Sequence, residues 1–340
     1  MHTTWNQTPV LVTGGAGFIG SFLVERLVEL GADVVVADNL SRGGADKLAA
    51  VVDQVELHPV DLTTIEGCLR ATEGVEVVFH LAASVGGVHY IERENVGGLT
   101  PSVLMNQHML EACRIRGIDR FVFASSACIY RQQTDELNEF SEDQGYPAHP
   151  FSTYGWAKVL GEVACKAYHD DYGMRTVSVR IFNAYGPRES LDPDSSHVIP
   201  SLCRKAIEAP DGGSIEIFGD GTQERGFIYV TDLVDGLVRA AEVKGDGGVI
   251  NVGNAHEVVS IADLAARVIA ISGKELRIDR DRSGPTGTNR YCADMTTMIR
   301  ELGWEPTVSL DEGLQQVYDW AAADLGADAH QPVLADGGDR

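Results

Sequence analysis

A glycine-rich turn near the N-terminus constrains the fold of this 340-residue chain more than any other segment. The residues Thr13-Gly14-Gly15-Ala16-Gly17-Phe18-Ile19-Gly20 follow a short apolar strand, Val10-Leu11-Val12, and open a helix. Gly14 permits a tight turn, Gly17 lets a phosphate approach the backbone, and Gly20 lets the helix pack closely on the strand. The free amides and the dipole of the helix N-terminus then favour a pyrophosphate at this turn.

The second strand, predicted over 33–37, ends in the acidic residue Asp38. A carboxylate in this place accepts hydrogen bonds from the adenosine ribose and repels a 2′-phosphate, which favours NAD over NADP as cofactor. Arg42 would soften that preference. Asp61 and Leu62 follow the third strand, where an adenine contact is expected, although an ordinary loop aspartate explains Asp61 nearly as well.

Strands and helices alternate through the first half of the chain. Further buried strands are predicted over 75–81, 121–124 and 176–182, with helices over 101–116 and 152–172. This rhythm predicts an α/β fold with a Rossmann-type doubly wound parallel sheet.

The rhythm loosens after residue 185, where Gly186-Pro187 breaks the chain. Short elements around 215–218, 231–243, 250–253 and 261–271 predict a smaller C-terminal α/β substrate-binding lobe. The expected organisation is an NAD-binding domain over 1–185, the smaller lobe over 186–326, and a Gly/Asp/Ala-rich, disordered tail over 327–340.

The bulk composition excludes several classes of protein. A net charge of −23 disfavours nucleic acid and anionic membranes as partners, because both require a basic surface. No apolar run approaches the roughly 18 residues of a membrane span, and the N-terminus lacks the form of a signal peptide, so a cytoplasmic location is expected. The six cysteines form no Cys-x-x-Cys pair, so no metal site is predicted.

A second group of residues carries acid–base chemistry. Tyr154 and Lys158 are four residues apart on a predicted helix and point to one face. A nearby ammonium and a positive nicotinamide ring both favour the phenolate, so Tyr154 can remove a proton from a sugar hydroxyl. Lys158 can also hold the nicotinamide ribose, and Ser126, at the end of a strand, can share a hydrogen bond with the same hydroxyl. Cys128 stands beside them as either an acid/base group or a small pocket liner.

These motifs resemble the extended short-chain dehydrogenase/reductase family, specifically its nucleotide-sugar epimerases and dehydratases. The resemblance runs from about residue 10 to 320 and includes His80-Leu81-Ala82-Ala83, Arg180-Ile181-Phe182-Asn183-Ala184-Tyr185-Gly186-Pro187, Asn251-Val252-Gly253 and Leu302-Gly303-Trp304-Glu305-Pro306. It implies a nucleoside-diphosphate sugar bound between two lobes, tightly held NAD, and a homodimer built on two long helices.

The resemblance also assigns binding residues. It places NAD against Gly14, Gly17, Phe18, Ile19, Asp38, Asp61, Leu62, Leu81, Ala83, Tyr154 and Lys158. It places the substrate against Gly86, Gly87, Asn183, Arg225 and Arg290, with Arg282 as the alternative to Arg290 for the diphosphate. His89 and Tyr90 either touch the sugar or simply pack.

The subfamilies differ beside the catalytic serine. Dehydratases of the family carry Asp-Glu where this chain has Ala127-Cys128, which disfavours dehydration. The run Ser-Ala-Cys-Ile-Tyr, with residues 82–87, is most similar to GDP-mannose 3,5-epimerases, in which this cysteine is one acid/base group and a lysine is the other. His197 occupies the lysine position here, and Ser102 replaces a family asparagine near the nicotinamide.

The sequence therefore predicts an NAD-dependent nucleotide-sugar epimerase that acts through a transient 4-keto sugar. Its catalytic candidates are Ser126, Cys128, Tyr154, Lys158 and His197. Cys128 and His197 either exchange protons at carbons 3 and 5 or line the pocket of a simple 4-epimerase. The alternatives are a dehydratase or reductase of the same family, or a non-catalytic NAD-binding protein with this fold.

Overall fold

Seven parallel strands form the central sheet of the fold, in the order β11-β6-β5-β4-β1-β2-β3. The computed structural model describes residues 5–84, 95–130, 139–283 and 289–326. The strands in this part of the chain are β1 Pro9–Thr13, β2 Asp33–Asp38, β3 Val55–Pro59, β4 Val77–His80, β5 Arg120–Ser126, β6 Arg175–Ile181, β7 Ala184–Tyr185, β8 Ser214–Phe218, β9 Glu224–Gly226, β10 Ile228–Tyr229, β11 Val249–Val252, β12 Val258–Ser260, β13 Arg277–Asp281 and β14 Arg290–Tyr291.

Helices cover both faces of this sheet. Their bounds are α1 Phe18–Glu29, α2 Ile65–Ala71, α3 Asn95–Arg116, α4 Thr153–Tyr172, α5 Val198–Glu208, α6 Val230–Val243, α7 Ile261–Ser272, α8 Thr296–Leu302 and α9 Leu310–Asp324. The apolar stripes of α1 and α6 pack on one face, and those of α2, α3 and α4 pack on the other. Because both faces are covered, strands such as β1 are mostly apolar, and Val10, Leu11 and Val12 in it are fully buried. The predicted doubly wound parallel sheet is confirmed.

The chain returns to this sheet after residue 185. Strand β11 pairs in parallel with β6, and α6 packs against α1 on the same face. A boundary at residue 185 therefore does not separate the two units in space, because two elements of the second half complete the first. A sequence pattern cannot show this, since sheet edges are filled by long-range pairing.

The remaining elements form the smaller lobe. Helices α5, α7 and α9 pack around a cluster that includes Leu202, Leu264 and Leu314. Strand β9 pairs with β12 and β14, and β8 pairs with β13. This lobe lies at the carboxyl edge of the large sheet, because β7 leaves β6 directly and pairs with β10.

Helix α3 includes at least six residues before Pro101, the residue where the sequence placed its start. Proline has no N–H to donate to the carbonyl four residues earlier. That carbonyl, of Gly97, instead accepts a hydrogen bond from Ser84 Oγ at 3.1 Å. None of the helices in the described ranges combines the length and apolarity that crossing a bilayer requires.

Two helical glycines provide a test of how closely α4 approaches β5. A Cβ built on Gly161 would lie 2.3 Å from Phe123 Cζ, whereas one on Gly98 would have only Ser84 O, at 3.7 Å, nearby. We expect Gly161→Ala to destabilise the protein by about 1–3 kcal/mol through overpacking. Gly98→Ala should instead stabilise it by about 0.4–1 kcal/mol. Denaturant unfolding of both variants checks this, and equal changes in the free energy of unfolding would contradict the close packing of α4 on β5.

Candidate active site

The glycine-rich turn meets the end of β4 at van der Waals distance. Gly14 has φ +69°, and a Cβ on it would lie 2.9 Å from Ala82 N. A Cβ on Gly20 would lie 2.1 Å from Gly14 O, so helix α1 starts against the turn with no room for a side chain. Gly17 caps α1 without a side-chain hydrogen bond, which leaves the first amides of the helix directed at the carboxyl edge of the sheet.

The hydroxyl of Thr13 is the junction between this turn and the neighbouring strand. Its Oγ1 accepts hydrogen bonds from the amides of Leu81 and Ala82, both at 3.1 Å. It also contacts His80 Nδ1 at 2.8 Å, and His80 Nε2 lies 3.1 Å from Asn106 Oδ1. Burial lowers the pKa of His80 to about 3, so the ring is neutral. With Asn106 Oδ1 as an acceptor, the proton belongs on Nε2 and Thr13 donates to Nδ1.

The chain of hydrogen bonds continues from Asn106 to the helix that carries the candidate tyrosine. Asn106 Nδ2 donates to the carbonyl of Ala157 in α4 at 3.3 Å. Thr13, His80 and Asn106 therefore connect the nucleotide turn to α4 through buried side chains.

Asp38 lies beside the turn, as the sequence predicts for a ribose-binding carboxylate. Its Oδ2 accepts from the amide of Ala16 at 3.1 Å, and its Oδ1 accepts from the amide of Leu40 at 2.8 Å. Arg42 is exposed. Asp61 hydrogen-bonds within its own loop. Its Oδ1 accepts from the backbone amide and the hydroxyl of Thr63, and the hydrogen bond from the amide is the main reason that its pKa is lowered. This supports the ordinary-loop interpretation of Asp61.

Ser126, Tyr154 and Lys158 converge at the end of β5. Lys158 Nζ donates to the carbonyl of Ala124 at 2.6 Å and lies 5.5 Å from the centre of the Tyr154 ring. Tyr154 is within reach of the Ser126 hydroxyl, whose hydrogen bond favours the phenolate. Gly155 permits this approach, because a Cβ on it would lie 2.5 Å from the carbonyl of Cys128.

Burial dominates the electrostatics of these groups in the protein alone. It raises the pKa of Tyr154 above its usual range, and the nearby Cys128 adds to the rise. It lowers the pKa of Lys158 to about 8, against the attraction of Cys128 and Glu162. The sequence predicts that Lys158 and a bound nicotinamide ring together lower the Tyr154 pKa, an effect that would oppose this burial.

Cys128 is half-buried and belongs to this cluster. Burial raises the pKa of its thiol, while the Ser126 hydrogen bond and the Lys158 charge oppose that rise. Tyr291, from β14, donates a hydrogen bond through its hydroxyl to the carbonyl of Ala127 and so fixes the turn that presents Cys128.

His197 lies in the smaller lobe, as the residue that precedes α5. Its Nδ1 is hydrogen-bonded to Glu189 Oε1, and the Glu189 side chain is only 5% exposed. The protein atoms around the ring displace part of its solvent and lower the pKa of His197, although 55% of the side chain stays exposed; the charge and hydrogen bond of Glu189 outweigh this, so the net pKa is raised. Among the described residues, no hydrogen bond or ion pair links His197 to Cys128 or Tyr154.

The three residues assigned to the substrate diphosphate lie together where β9 pairs with β14. Asn183 Nδ2 donates to the carbonyls of Gly226 and Tyr291 at 2.9 and 3.3 Å. Arg225 lies 5.9 Å from the centre of the Tyr291 ring, and burial lowers its pKa, a cost that an anionic ligand would relieve. Arg290 is already paired with Glu224 at 3.1 Å and Glu139 at 3.7 Å, and Arg282 is exposed.

The remaining predicted residues divide into two groups. Gly86, Gly87, His89 and Tyr90 lie outside the described residues. Ser102 is buried, and its hydroxyl accepts from the amide of Ser84 at 3.2 Å, which ties α3 to the segment containing Leu81 and Ala83. Ser102 therefore holds the backbone that follows β4.

Sequence reasoning missed several residues that build the site. Glu189 carried no signal, because it stands in an irregular loop eight residues before its partner. Tyr291 is 164 residues from Ala127. Glu162 did carry one: it continues the spacing of Tyr154 and Lys158 by four residues on the same face of α4.

The chain belongs to the NAD dependent epimerase/dehydratase family, whose sequence profile matches residues 10–253. It is 34% identical to the GDP-mannose 3,5-epimerase of Arabidopsis thaliana over 315 residues, which cover 92% of this chain and 81% of that protein.

Solved structures agree with this assignment. The UDP-glucose 4-epimerase of Thermotoga maritima, determined with UDP-glucose, superposes with a TM-score of 0.83 and 31% identity over 94% of this chain and all of that one. The UDP-glucose 4-epimerase of Thermus thermophilus, in complex with NAD, gives a TM-score of 0.80 and 29% identity over 92% of this chain and 99% of that one. The resemblance to nucleotide-sugar epimerases drawn from the sequence is confirmed.

NAD is the cofactor of this family, and the residues present fit it. Gly14 and Gly20 have no room for side chains, so the turn packs against Ala82 and α1 as closely as a pyrophosphate-binding turn requires. The uncapped amides of α1 suit a pyrophosphate, and Asp38 ends β2 at the ribose position.

The pairing of His197 with a buried carboxylate predicts how its ring titrates. Because Glu189 raises the pKa, the imidazolium persists to higher pH than in a solvated histidine, and Glu189→Gln should lower the midpoint. Asp192→Asn, in the same loop, is the control and should leave the midpoint unchanged. Nitrogen–proton NMR of the histidine rings, assigned with His197→Asn, measures this; equal midpoints in wild type and Glu189→Gln would refute the pairing.

Proposed function

We propose that this chain is an NAD-dependent nucleotide-sugar epimerase that acts through a transient 4-keto sugar. The observation that carries the proposal is the convergence of Ser126, Tyr154 and Lys158 at the carboxyl edge of the sheet, beside the nucleotide turn. A protein that only binds NAD has no chemical need for a buried phenol and amine in this arrangement.

The proposed redox step uses these residues in complementary roles. When bound, NAD accepts a hydride from the sugar carbon and later returns it, and its oxidised ring is positively charged. Tyr154 removes the proton of the sugar hydroxyl, and Ser126 holds that hydroxyl by a second hydrogen bond. Lys158 supplies a positive charge 5.5 Å from the Tyr154 ring, which favours the phenolate against the cost of burial.

The substrate is proposed to be a nucleoside-diphosphate sugar. Asn183, Arg225 and Arg290 gather where β9 and β14 pair, close to Tyr291, which in turn holds the Cys128 turn. A diphosphate bound there would place its sugar toward Cys128 and Tyr154. Guanidinium groups match the paired oxygens of a diphosphate.

Inversion at carbons 3 and 5 is the first candidate reaction. A 4-keto group acidifies the neighbouring C–H bonds, and Cys128 is a titratable group near enough to Tyr154 and Lys158 to interact electrostatically with both. His197 is proposed as the second proton-exchanging group, with Glu189 orienting its ring through Nδ1. The similarity to the Arabidopsis GDP-mannose 3,5-epimerase favours this candidate.

Simple inversion at carbon 4 is the second candidate. His197 is 55% exposed and bonded to Glu189, so it can equally be a structural residue that starts α5. A 4-epimerase needs no group beyond Ser126, Tyr154 and Lys158, and the superposition on the Thermotoga UDP-glucose 4-epimerase favours it. Cys128 would then line the sugar pocket.

Turnover in deuterated water separates the two reactions. With a panel of nucleotide sugars, 3,5-inversion incorporates deuterium beside carbon 4, whereas 4-inversion incorporates none. We expect Tyr154→Phe to reduce either activity by about 10²- to 10⁴-fold. Cys128→Ala should abolish deuterium uptake but spare a simple 4-epimerase. The proposed function would be rejected if the protein retained NAD and no nucleotide sugar was either turned over or able to reduce that NAD.

The assembly state is proposed to be a homodimer formed through α3 and α4. These helices pack side by side, and α4 exposes Trp156, Leu160 and Val163, which share one face. Leu104 and Ile115 are exposed on α3, three turns apart. In a two-fold dimer the same apolar stripe on a second copy would cover this face. Such a contact is apolar, so a chain of net charge −23 needs no basic partner to form it.

Matched substitutions test this interface. Val163 is 51% exposed in the proposed interface, and Val52 is 53% exposed elsewhere. We expect Val163→Glu to shift the protein from dimer to monomer, because it buries a charge between two apolar helices. Val52→Glu should leave the mass unchanged. Size-exclusion chromatography with light scattering measures both, and a dimer that survives Val163→Glu would place the interface elsewhere.

A further inference from the structure

A buried ion pair lies directly behind the redox residues. Arg180, in β6, and Glu162, in α4, have side-chain exposures of 0% and 1%. Arg180 Nε donates to Glu162 Oε1 at 2.9 Å, and Nη2 donates to Oε2 at 2.8 Å. This two-pronged geometry fixes both distance and angle, which a single ionic contact does not.

Glu162 also binds the strand that carries the catalytic serine. Ser125 precedes Ser126 in β5, and its hydroxyl donates to Glu162 Oε1 at 2.5 Å. Tyr154, Lys158 and Glu162 follow one another at intervals of four residues, so they share one face of α4. A displacement of Glu162 along or around α4 would therefore move Tyr154 and Lys158 relative to Ser126.

Arg180 extends the connection to the turn that carries Cys128. Its Nη1 donates to the hydroxyl of Tyr130 at 2.9 Å and to the carbonyl of Glu142 at 2.7 Å. Tyr130 in turn donates to Asn251 Oδ1, in β11, at 2.7 Å. One guanidinium thus joins α4, β6, β11 and the Cys128 turn.

Stability alone does not account for a charged pair in this position. Removing two charges from water costs nearly as much as their attraction returns, and apolar replacements of such pairs are often equally stable. In some proteins such a pair specifies one arrangement of its elements, because an alternative packing leaves a charge uncompensated. The elements that this pair joins include β5 and α4, which carry Ser126, Tyr154 and Lys158.

We propose that Glu162 and Arg180 form a positioning pair that holds Tyr154 and Lys158 in register with Ser126 and keeps the Lys158 amine charged. The pair touches neither the sugar nor the nicotinamide; it acts through Lys158 and α4. The inference deepens the proposed function, because it rests on the redox role given there to Tyr154 and Lys158.

The charge of Glu162 has a specific target. Within the described ranges, the titratable groups facing Lys158 are Cys128, Tyr154, His80 and Glu162, and the attractions of Cys128 and Glu162 oppose the burial that lowers the Lys158 pKa to about 8. Removing the Glu162 charge removes one of those attractions. The Lys158 ammonium then loses its proton at lower pH.

Two substitutions of Glu162 separate its charge from its position. Glu162→Gln keeps the length and loses the charge, so the Lys158 midpoint should fall by about one pH unit. Glu162→Asp keeps the charge but withdraws it by one methylene, so the midpoint should hold while kcat falls by about 10- to 100-fold. Arg180→Lys keeps a cation without the two-pronged contact and should behave like Glu162→Asp.

Glu111 provides the matched control. It forms the same two-pronged contact with Arg114, at 2.8 and 2.7 Å, but both side chains are about one-third exposed and the pair lies at the far end of α3. Glu111→Gln should change neither the Lys158 midpoint nor kcat.

The Lys158 midpoint is measured without substrate, by carbon–proton NMR of protein labelled at lysine Cε and assigned with Lys158→Arg. Wild type that retains NAD but turns over no nucleotide sugar would reject the proposed function while leaving this titration decisive for the pair. A folded Glu162→Gln with the wild-type midpoint, or Glu162→Asp with wild-type kcat, would overturn the positioning pair. Should Glu162→Gln fail to fold, Glu162→Asp and Arg180→Lys decide the matter through kcat and melting temperature.

Discussion

The site depends on the hydrogen bonds of the Thr13 hydroxyl, which lies where the first and fourth strands meet. Its oxygen accepts hydrogen bonds from the amides of Leu81 and Ala82, which follow β4. The same hydroxyl donates a hydrogen bond to His80, whose ring burial keeps neutral. The histidine passes the connection through Asn106 to the backbone of α4. The same buried hydrogen bonds therefore hold both the glycine-rich nucleotide turn and the helix that carries Tyr154. Such a network specifies geometry because every member must be satisfied at once.

Much of the fold could be predicted, because the signals are local. The helix predicted over 152–172 is observed as Thr153–Tyr172, and the strand predicted over 33–37 extends only one residue further. The order of the strands and the return of Val249–Val252 to the large sheet could not be predicted from periodicity, since pairing depends on distant segments. The sequence predicts that α3 starts at Pro101, whereas the helix also includes residues before it. Proline can lie inside this helix because Ser84 donates a hydrogen bond to the carbonyl that the proline leaves without a helical partner.

The site was predictable where chemistry requires a fixed spacing and obscure where it depends on tertiary contacts. Gly14, Gly20, Tyr154 and Lys158 follow from the geometry of a turn and of a helix. The protonation states do not, because they depend on burial and tertiary contacts: burial raises the pKa of Tyr154 in the protein alone, and Glu189 raises the pKa of His197. Glu189 makes His197 more similar to the lysine expected at residue 197. Its negative charge raises the pKa of the imidazole and so favours the positively charged ring.

The position of β11 at one edge of the sheet has a consequence for synthesis of the protein. Strand β6 is complete at residue 181, but its outer neighbour, Val249–Val252, leaves the ribosome only after about seventy more residues have been added. During that interval the nascent sheet presents an open row of amides and carbonyls along a strand that is largely buried in the folded protein. A chain that pauses between these two strands leaves the edge of an incomplete sheet open to pairing with another chain, so the order of translation creates an interval in which aggregation competes with folding.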